Sequence, residues 1–156
     1  MALVIARSLA QRGVEVIGCD DVDLAVMSFS KHVKETFTVA PWKLRPDDFL
    51  DELEAAVREY ALRDERPYVL MPVFTEGELI ARHRARFEPA VKLAAPLWKS
   101  ISVVHPKDHL AKLVESDDLP APRTRIVPDR AALTRLAPTL EYPLIVKPSD
   151  GAGGRG

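Results

Sequence analysis

Cysteine is almost missing: Cys19 stands alone in 156 residues. No intrachain disulfide can form, and such usage fits a reducing compartment, the cytoplasm. Because it lies in an apolar run, Cys19 reads as a small core residue and not as a nucleophile. An excess of either charge is also lacking, with 22 Lys and Arg against 23 Asp and Glu. That balance offers no electrostatic reason to expect nucleic acid as a partner. The apolar runs fall far short of the ~20 residues needed to span a bilayer, so no membrane partner is expected. The opening MALVIARSLAQRG has neither a basic leader nor a small-residue cleavage site, so it does not read as a signal peptide. His83, His105 and His109 lack the spacing and the partners of a zinc site, and Ser28, Ser30 and His32 do not form part of a catalytic triad. Internal repeats and low-complexity tracts are absent, apart from one glycine cluster at the end.

What is present is an alternation of helix-period and strand-like segments. Residues 2–12 carry apolar positions at helical spacing, and Gly13 supplies a stop. Residues 14–19 read as a buried strand that ends in the acidic turn Asp20-Asp21, and 34–39 read as a second strand. Between them, residues 22–29 are ambiguous, with a short helix one expectation. Pro46 opens the clearest helix, whose expected buried face is Phe49, Leu50, Leu53, Ala56, Val57 and Tyr60. A strand at 68–73, a helix from a Thr75 cap to about Arg86, a strand at 91–94 and a helix from Pro96 through Val103 come next. Arg82-His83-Arg84-Ala85-Arg86 reads as a solvated basic helix face. Trp42 and Trp98 read as core or interface residues.

This order predicts an α/β fold, a Rossmann-like and mostly parallel sheet over residues 1–104. Such sheets normally begin with a strand, whereas this chain begins inside a helix, so an upstream segment carrying the first strand is expected. Open strand edges would let a second copy pair, which makes a homo-oligomer one expected state.

From residue 105 the character changes. A helix over 106–116 should turn Leu110, Leu113 and Val114 inward, a strand is expected at 124–127, a helix at 130–136 and a strand at 144–147. His105 and His109 lie four apart, with capping and surface roles expected. Four of the seven glycines then fall in the last six residues. Glycine clusters let backbone N–H groups approach an anion closely, so the segment fits a phosphate cradle with Lys147 at its entrance. On composition alone a flexible tail fits equally. It is not the GxxxxGK[ST] phosphate loop.

The run Tyr142-Pro143-Leu144-Ile145-Val146-Lys147-Pro148-Ser149-Asp150-Gly151-Ala152-Gly153-Gly154-Arg155-Gly156 resembles the signature of the ATP-grasp superfamily, the group of biotin carboxylase, carbamoyl phosphate synthase and the carboxylate–amine ligases. Lys107 at a helix start and Pro120 in a turn 13 residues on match a second feature of that family, and Leu119-Pro120-Ala121-Pro122-Arg123-Thr124 matches its proline turn. The resemblance covers residues 106–156. It implies that 105–156 begin an ATP-grasp α+β subdomain, truncated in the glycine-rich loop, and that 1–104 form the domain preceding it.

It further implies ATP as cofactor, with Lys107, Lys147, Gly151, Gly153, Gly154, Arg155 and Gly156 around the phosphates, and Mg²⁺ held by carboxylates outside this chain. The implied substrates are a small-molecule carboxylate, activated as an acyl-phosphate, and an amine that captures it; the catalytic residues are not identified. Protection of the acyl-phosphate by closure of the glycine loop is implied by the same resemblance. The chain by itself would then be inactive. Two other readings stand beside this one: a non-catalytic interaction module, and a Rossmann-type oxidoreductase suggested by the acids that end residues 14–21.

Overall fold

In the computed structural model, residues 1–150 are described. The chain divides into two compact units, the first Met1–Ala95 and the second beginning at Pro96, so that the helix Trp98–Val104 belongs to the second.

The first unit starts with α1, Ala2–Ala10. Gly13 adopts φ +77 and its N–H reaches Ala10 O at 3.0 Å, the left-handed stop that a residue without Cβ makes easily. β1 (Ile17–Asp20) and β2 (Glu35–Thr38) pair in parallel, in register from Ile17 opposite Glu35 to Asp20 opposite Thr38. The ambiguous stretch between them forms a single 3-10 turn, Val26–Phe29. It packs over Gly18 of β1, where a Cβ would meet the flexible Met27 Cε at 2.7 Å and Thr36 Cγ2 at 3.1 Å. Cys19, opposite Phe37, is partly buried against the core.

α2, Pro46–Ala61, is amphipathic as its period requires, with Pro46 in the first turn and Asp47 and Asp48 beside the positive end of its dipole. Phe49, Leu50, Leu53, Val57 and Tyr60 are buried, while Ala56 lies at the margin. The core assembles on this face: Val39, Ala40, Ile80, Phe87 and Val91 close over it, and Trp42 packs at its edge. Phe87 is fully buried. β3 (Val69–Leu70) and β4 (Lys92–Leu93) form a second parallel pair, and α3 (Glu76–Arg82) runs between them. Thr75 does not cap α3. Its backbone is already helical, and the Glu76 carboxylate instead accepts the N–H groups of Val73 and Phe74, each at 3.0 Å.

The expected solvated face at 82–86 holds for Arg82 and His83, which are exposed, and fails for Arg84 and Arg86. Arg86 pairs with Asp51 at 2.6 Å and Glu54 at 2.5 Å, and Arg84 pairs with Glu88 at 2.6 Å and donates to Ala95 O. These arginines tie the loop after α3 to α2 and to Ala95 instead of facing water. The described sheet is therefore two short parallel pairs, mixed with helices.

In the second unit α4 (Trp98–Val104) and α5 (Lys107–Ser116) are joined by His109, whose Nδ1 lies 2.9 Å from Ser102 O. A carbonyl only accepts, so that nitrogen carries the proton. α6 spans Arg130–Leu136, capped by Asp129, which accepts from Ala132 N at 2.7 Å, and Pro138 falls in the 3-10 turn that ends it. The strands expected at 124–127 and 144–147 do not form ladders among the described residues. Apolar and β-branched residues favour extended backbone, but a strand also needs a neighbour to receive its N–H and C=O groups. Ile145 and Val146 are accordingly exposed, at 81% and 71%. Leu110, expected inward on α5, is 43% exposed.

Candidate functional site

The start of α5 is the point where separated parts of the sequence converge. Pro106 precedes the helix in extended conformation and leaves the N–H groups of Lys107 and Asp108 without intrahelical acceptors. Ser149, 41 residues beyond Asp108, supplies them. Its carbonyl accepts from Lys107 N at 2.9 Å, and its hydroxyl lies 3.4 Å from Asp108 N. The same hydroxyl donates to the Asp108 carboxylate, which also receives Lys112 Nζ at 3.0 Å, one turn along the helix. Hydrogen bonding from Ser149 first, then from Lys112, holds the Asp108 carboxyl down at about 2.

The Lys107 ammonium turns back over this segment. Its Nζ lies 3.2 Å from Pro148 O and 3.4 Å from both Ser149 O and Asp150 O. An ammonium carries three donors and no acceptor, so each of these carbonyl oxygens is a fitting partner for it. His105 Nε2 comes within 3.9 Å of Asp150 Oδ1 at the edge of the same cluster.

Of the residues singled out from sequence, Lys107 is thus brought against the segment that leads into the glycine cluster. Lys147 is two residues before Ser149 and is exposed. Gly151, Gly153, Gly154, Arg155 and Gly156 lie outside the described residues. Asp108 and Ser149 escaped the sequence reading. A Ser-Asp pair beside a lysine motif was the available signal, but nothing in the spacing linked it to a helix start 41 residues earlier.

The chemistry open to this cluster comes from its charges. A lysine ammonium beside exposed backbone can exchange carbonyl oxygens for phosphate oxygens, since both are acceptors and phosphate adds charge. Lys107 is therefore chemically suited to an anion that offers phosphate-like oxygens. A metal is a different matter: among the described residues no group of three or more His, Cys, Asp or Glu side chains is placed to hold one. No helix among them is long and apolar enough to cross a membrane.

The first unit offers a cavity of about 130 Å³ at the carboxyl ends of β1 and β2, lined among others by Asp20, Asp23, Ser28 and Thr36. Asp20 Oδ1 accepts the N–H of Asp21 at 2.9 Å, which makes the acidic pair a capped turn. Ser28 lies 3.3 Å from Thr36 Oγ1, and Ser30 accepts from His32 N. The Cys19 thiol is pushed up to about 12 by burial and, after that, by the charges of Asp20, Glu76 and Asp21, so it is not a nucleophile at neutral pH.

No family model matches the chain, and no curated protein matches it. Solved structures do. The biotin carboxylase domain dimer of 2-oxoglutarate carboxylase from Hydrogenobacter thermophilus, in complex with MgADP, ADP and bicarbonate, superposes with a TM-score of 0.62 at 20% identity over 99% of this chain. A biotin carboxylase domain of a thermophilic 2-oxoglutarate carboxylase bound to bicarbonate gives 0.52 at 19% identity over 96% of this chain. The same kind of domain bound to ADP without magnesium, with a disordered phosphate tail, gives 0.50 at 22% identity over 99%. This chain covers 34%, 33% and 34% of those three chains, about a third of their length. In fold, then, the chain is similar over nearly its whole length to part of the biotin carboxylase domain.

Proposed function

We propose that this chain supplies one wall of the nucleotide site of an ATP-grasp ligase that activates a carboxylate as an acyl-phosphate and passes it to an amine. The observation that carries this reading is the position of Lys107, whose ammonium sits 3.2 Å from Pro148 O, directly after Lys147 in the motif. Two sequence features that resemble the family separately are neighbours in space. The fold likeness supports the same reading, and the ADP, magnesium and bicarbonate bound in the similar structures support ATP, Mg²⁺ and a carboxylate as ligands here.

In this reading Lys107 and Lys147 neutralise phosphate charge and hold the nucleotide in line, the main contribution a protein makes to phosphoryl transfer. Mg²⁺, when bound, would neutralise further phosphate charge; no cluster of three or more His, Cys, Asp or Glu among the described residues would hold it. The amine, the acid and turnover belong to the complete enzyme; this chain alone is expected to bind nucleotide without turning it over. Self-association through open strand edges is part of the proposal, supported by the dimer among the similar structures.

The test is titration of ATP into the isotope-labelled chain, monitored by backbone NMR. Shifts centred on Lys107–His109 and Lys147–Ser149, weakened about 10- to 100-fold in Lys107→Ala, are expected, as for loss of a charge-assisted hydrogen bond. Shifts confined to the first unit would overturn the assignment.

A further inference from the structure

Lys107 is not held ready for a ligand; it is already occupied. Three carbonyl oxygens lie within 3.4 Å of its ammonium. What keeps those carbonyls there is a separate set of contacts that never touch the ammonium. Ser149 bonds to the start of α5 twice through N–H groups, at Lys107 N and Asp108 N, and a third time through its hydroxyl to the Asp108 carboxylate. Asp108 is in turn steadied by Lys112 at 3.0 Å.

We infer that Asp108 and Ser149 are positioning residues that latch the Pro148–Asp150 backbone onto Lys107, so that a nucleotide phosphate reaches this ammonium only by displacing the protein's own carbonyl oxygens. This rests on the nucleotide-binding reading above. The physical basis is competition for the same donors. An ammonium with three donors cannot keep three carbonyls and also bond a full set of phosphate oxygens. The observed affinity is then the intrinsic one reduced by the fraction of molecules in which the latch is open. The charge on phosphate makes the exchange favourable once ATP is present, because hydrogen bonds to charged acceptors are the stronger ones. In the absence of nucleotide the latch also occupies orphan N–H groups at the start of α5, so its opening exposes them to water.

A simple supporting role for Ser149 predicts the opposite effect on binding. If Ser149 merely preorganised Lys107 for phosphate, removing its hydroxyl would weaken binding. If it latches Lys107 closed, removing the hydroxyl strengthens binding.

The experiment uses the full chain with ATP as probe and compares wild type with Ser149→Ala, Asp108→Asn and Ser149→Thr. Ser149 is exposed, so its truncation removes no core contact. The expected result is ATP binding about 3- to 10-fold tighter in Ser149→Ala, on the order set by opening a latch worth one hydrogen bond. Asp108→Asn should give a smaller gain, and Ser149→Thr, which keeps a hydroxyl, should restore wild-type affinity. Without ATP, the Asp108 amide should exchange with solvent faster in Ser149→Ala than in wild type. Binding that is unchanged or weaker in Ser149→Ala overturns the latch and leaves the nucleotide reading standing. Absence of any ATP effect at Lys107 in all four proteins overturns the nucleotide reading and the latch with it.

Discussion

The two units owe their order to different forces. In the first, thirteen apolar side chains are buried, from Ala6 to Val91, and Leu50, Ile80 and Phe87 lose nearly all contact with water. Among the described residues from Pro96 onward no side chain is buried. Order in that region comes from caps and polar bridges: Asp129 on α6, His109 to Ser102, and Ser149 on the start of α5. A region held by burial loses stability through cavities, whereas one held by hydrogen bonds loses it through single polar substitutions and ionic conditions. The candidate site lies wholly in the second kind of region. Binding loops are drawn from the low-stability end of a structure because they must rearrange around a ligand.

The largest expected effect sharpens this contrast. Leu50→Ala or Phe87→Ala should destabilise the first unit by about 3–5 kcal/mol in denaturant unfolding. Leu113→Ala in the second, where the side chain is only partly covered, should cost below about 1 kcal/mol. Equal losses at Leu50 and Leu113 would break the comparison. Next in size is the response to ATP: as the latch opens, the Lys107 and Asp108 amides should lose protection, while α2 stays level. A change at α2 as well would mean that the ligand acts on the first unit too.

A smaller effect tests the polar contacts of the first unit. Tyr60 is buried, and its hydroxyl donates to Glu35 at 2.6 Å, with the Arg63 guanidinium stacked 4.0 Å from the ring centroid. Tyr60→Phe should cost about 1 kcal/mol, measured by urea unfolding, since the ring keeps its packing and only the hydrogen bond goes.

The smallest expected effect is on acid sensitivity. Asp108 has a folded value of about 2, below the ordinary ~3.9, so its contacts with Ser149 and Lys112 are complete above about pH 4. They are lost as the pH falls toward 2, where the carboxyl gains its proton. Lys112 and His109 are the cations near it. Amide exchange at Asp108 should therefore quicken between about pH 4 and 2, and Asp108→Asn should flatten that dependence.

Much of the first unit was legible because its signals are local. The period of 3.6 marked α2, with five of its six expected inward residues buried, and Gly13 marked the end of α1 through its φ of +77. The strands came out shorter than their apolar runs because pairing sets a strand's length, and β3 finds only two partners, Lys92 and Leu93. Arg86 read as solvated since its carboxylate partners, Asp51 and Glu54, stand more than thirty positions away. The candidate site divides the same way. Lys107 and Lys147 were visible through the motif they resemble, but the hydroxyl and carboxylate beside Lys107 were not, because contact across 41 residues leaves no periodic trace. The same long reach hid the absence of ladder partners for 124–127 and 144–147 among the described residues.

The position of Cys19 on β1 has a practical consequence. With its thiol near 12, almost none is present as thiolate at neutral pH, and the side chain is partly covered. An alkylating reagent should therefore label the folded protein much more slowly than the unfolded chain, where the thiol is fully exposed and keeps its ordinary acidity. Because Cys19 is the chain's single thiol, the mass added over time becomes a built-in gauge of folding in the first unit, read on the natural sequence without any engineered probe.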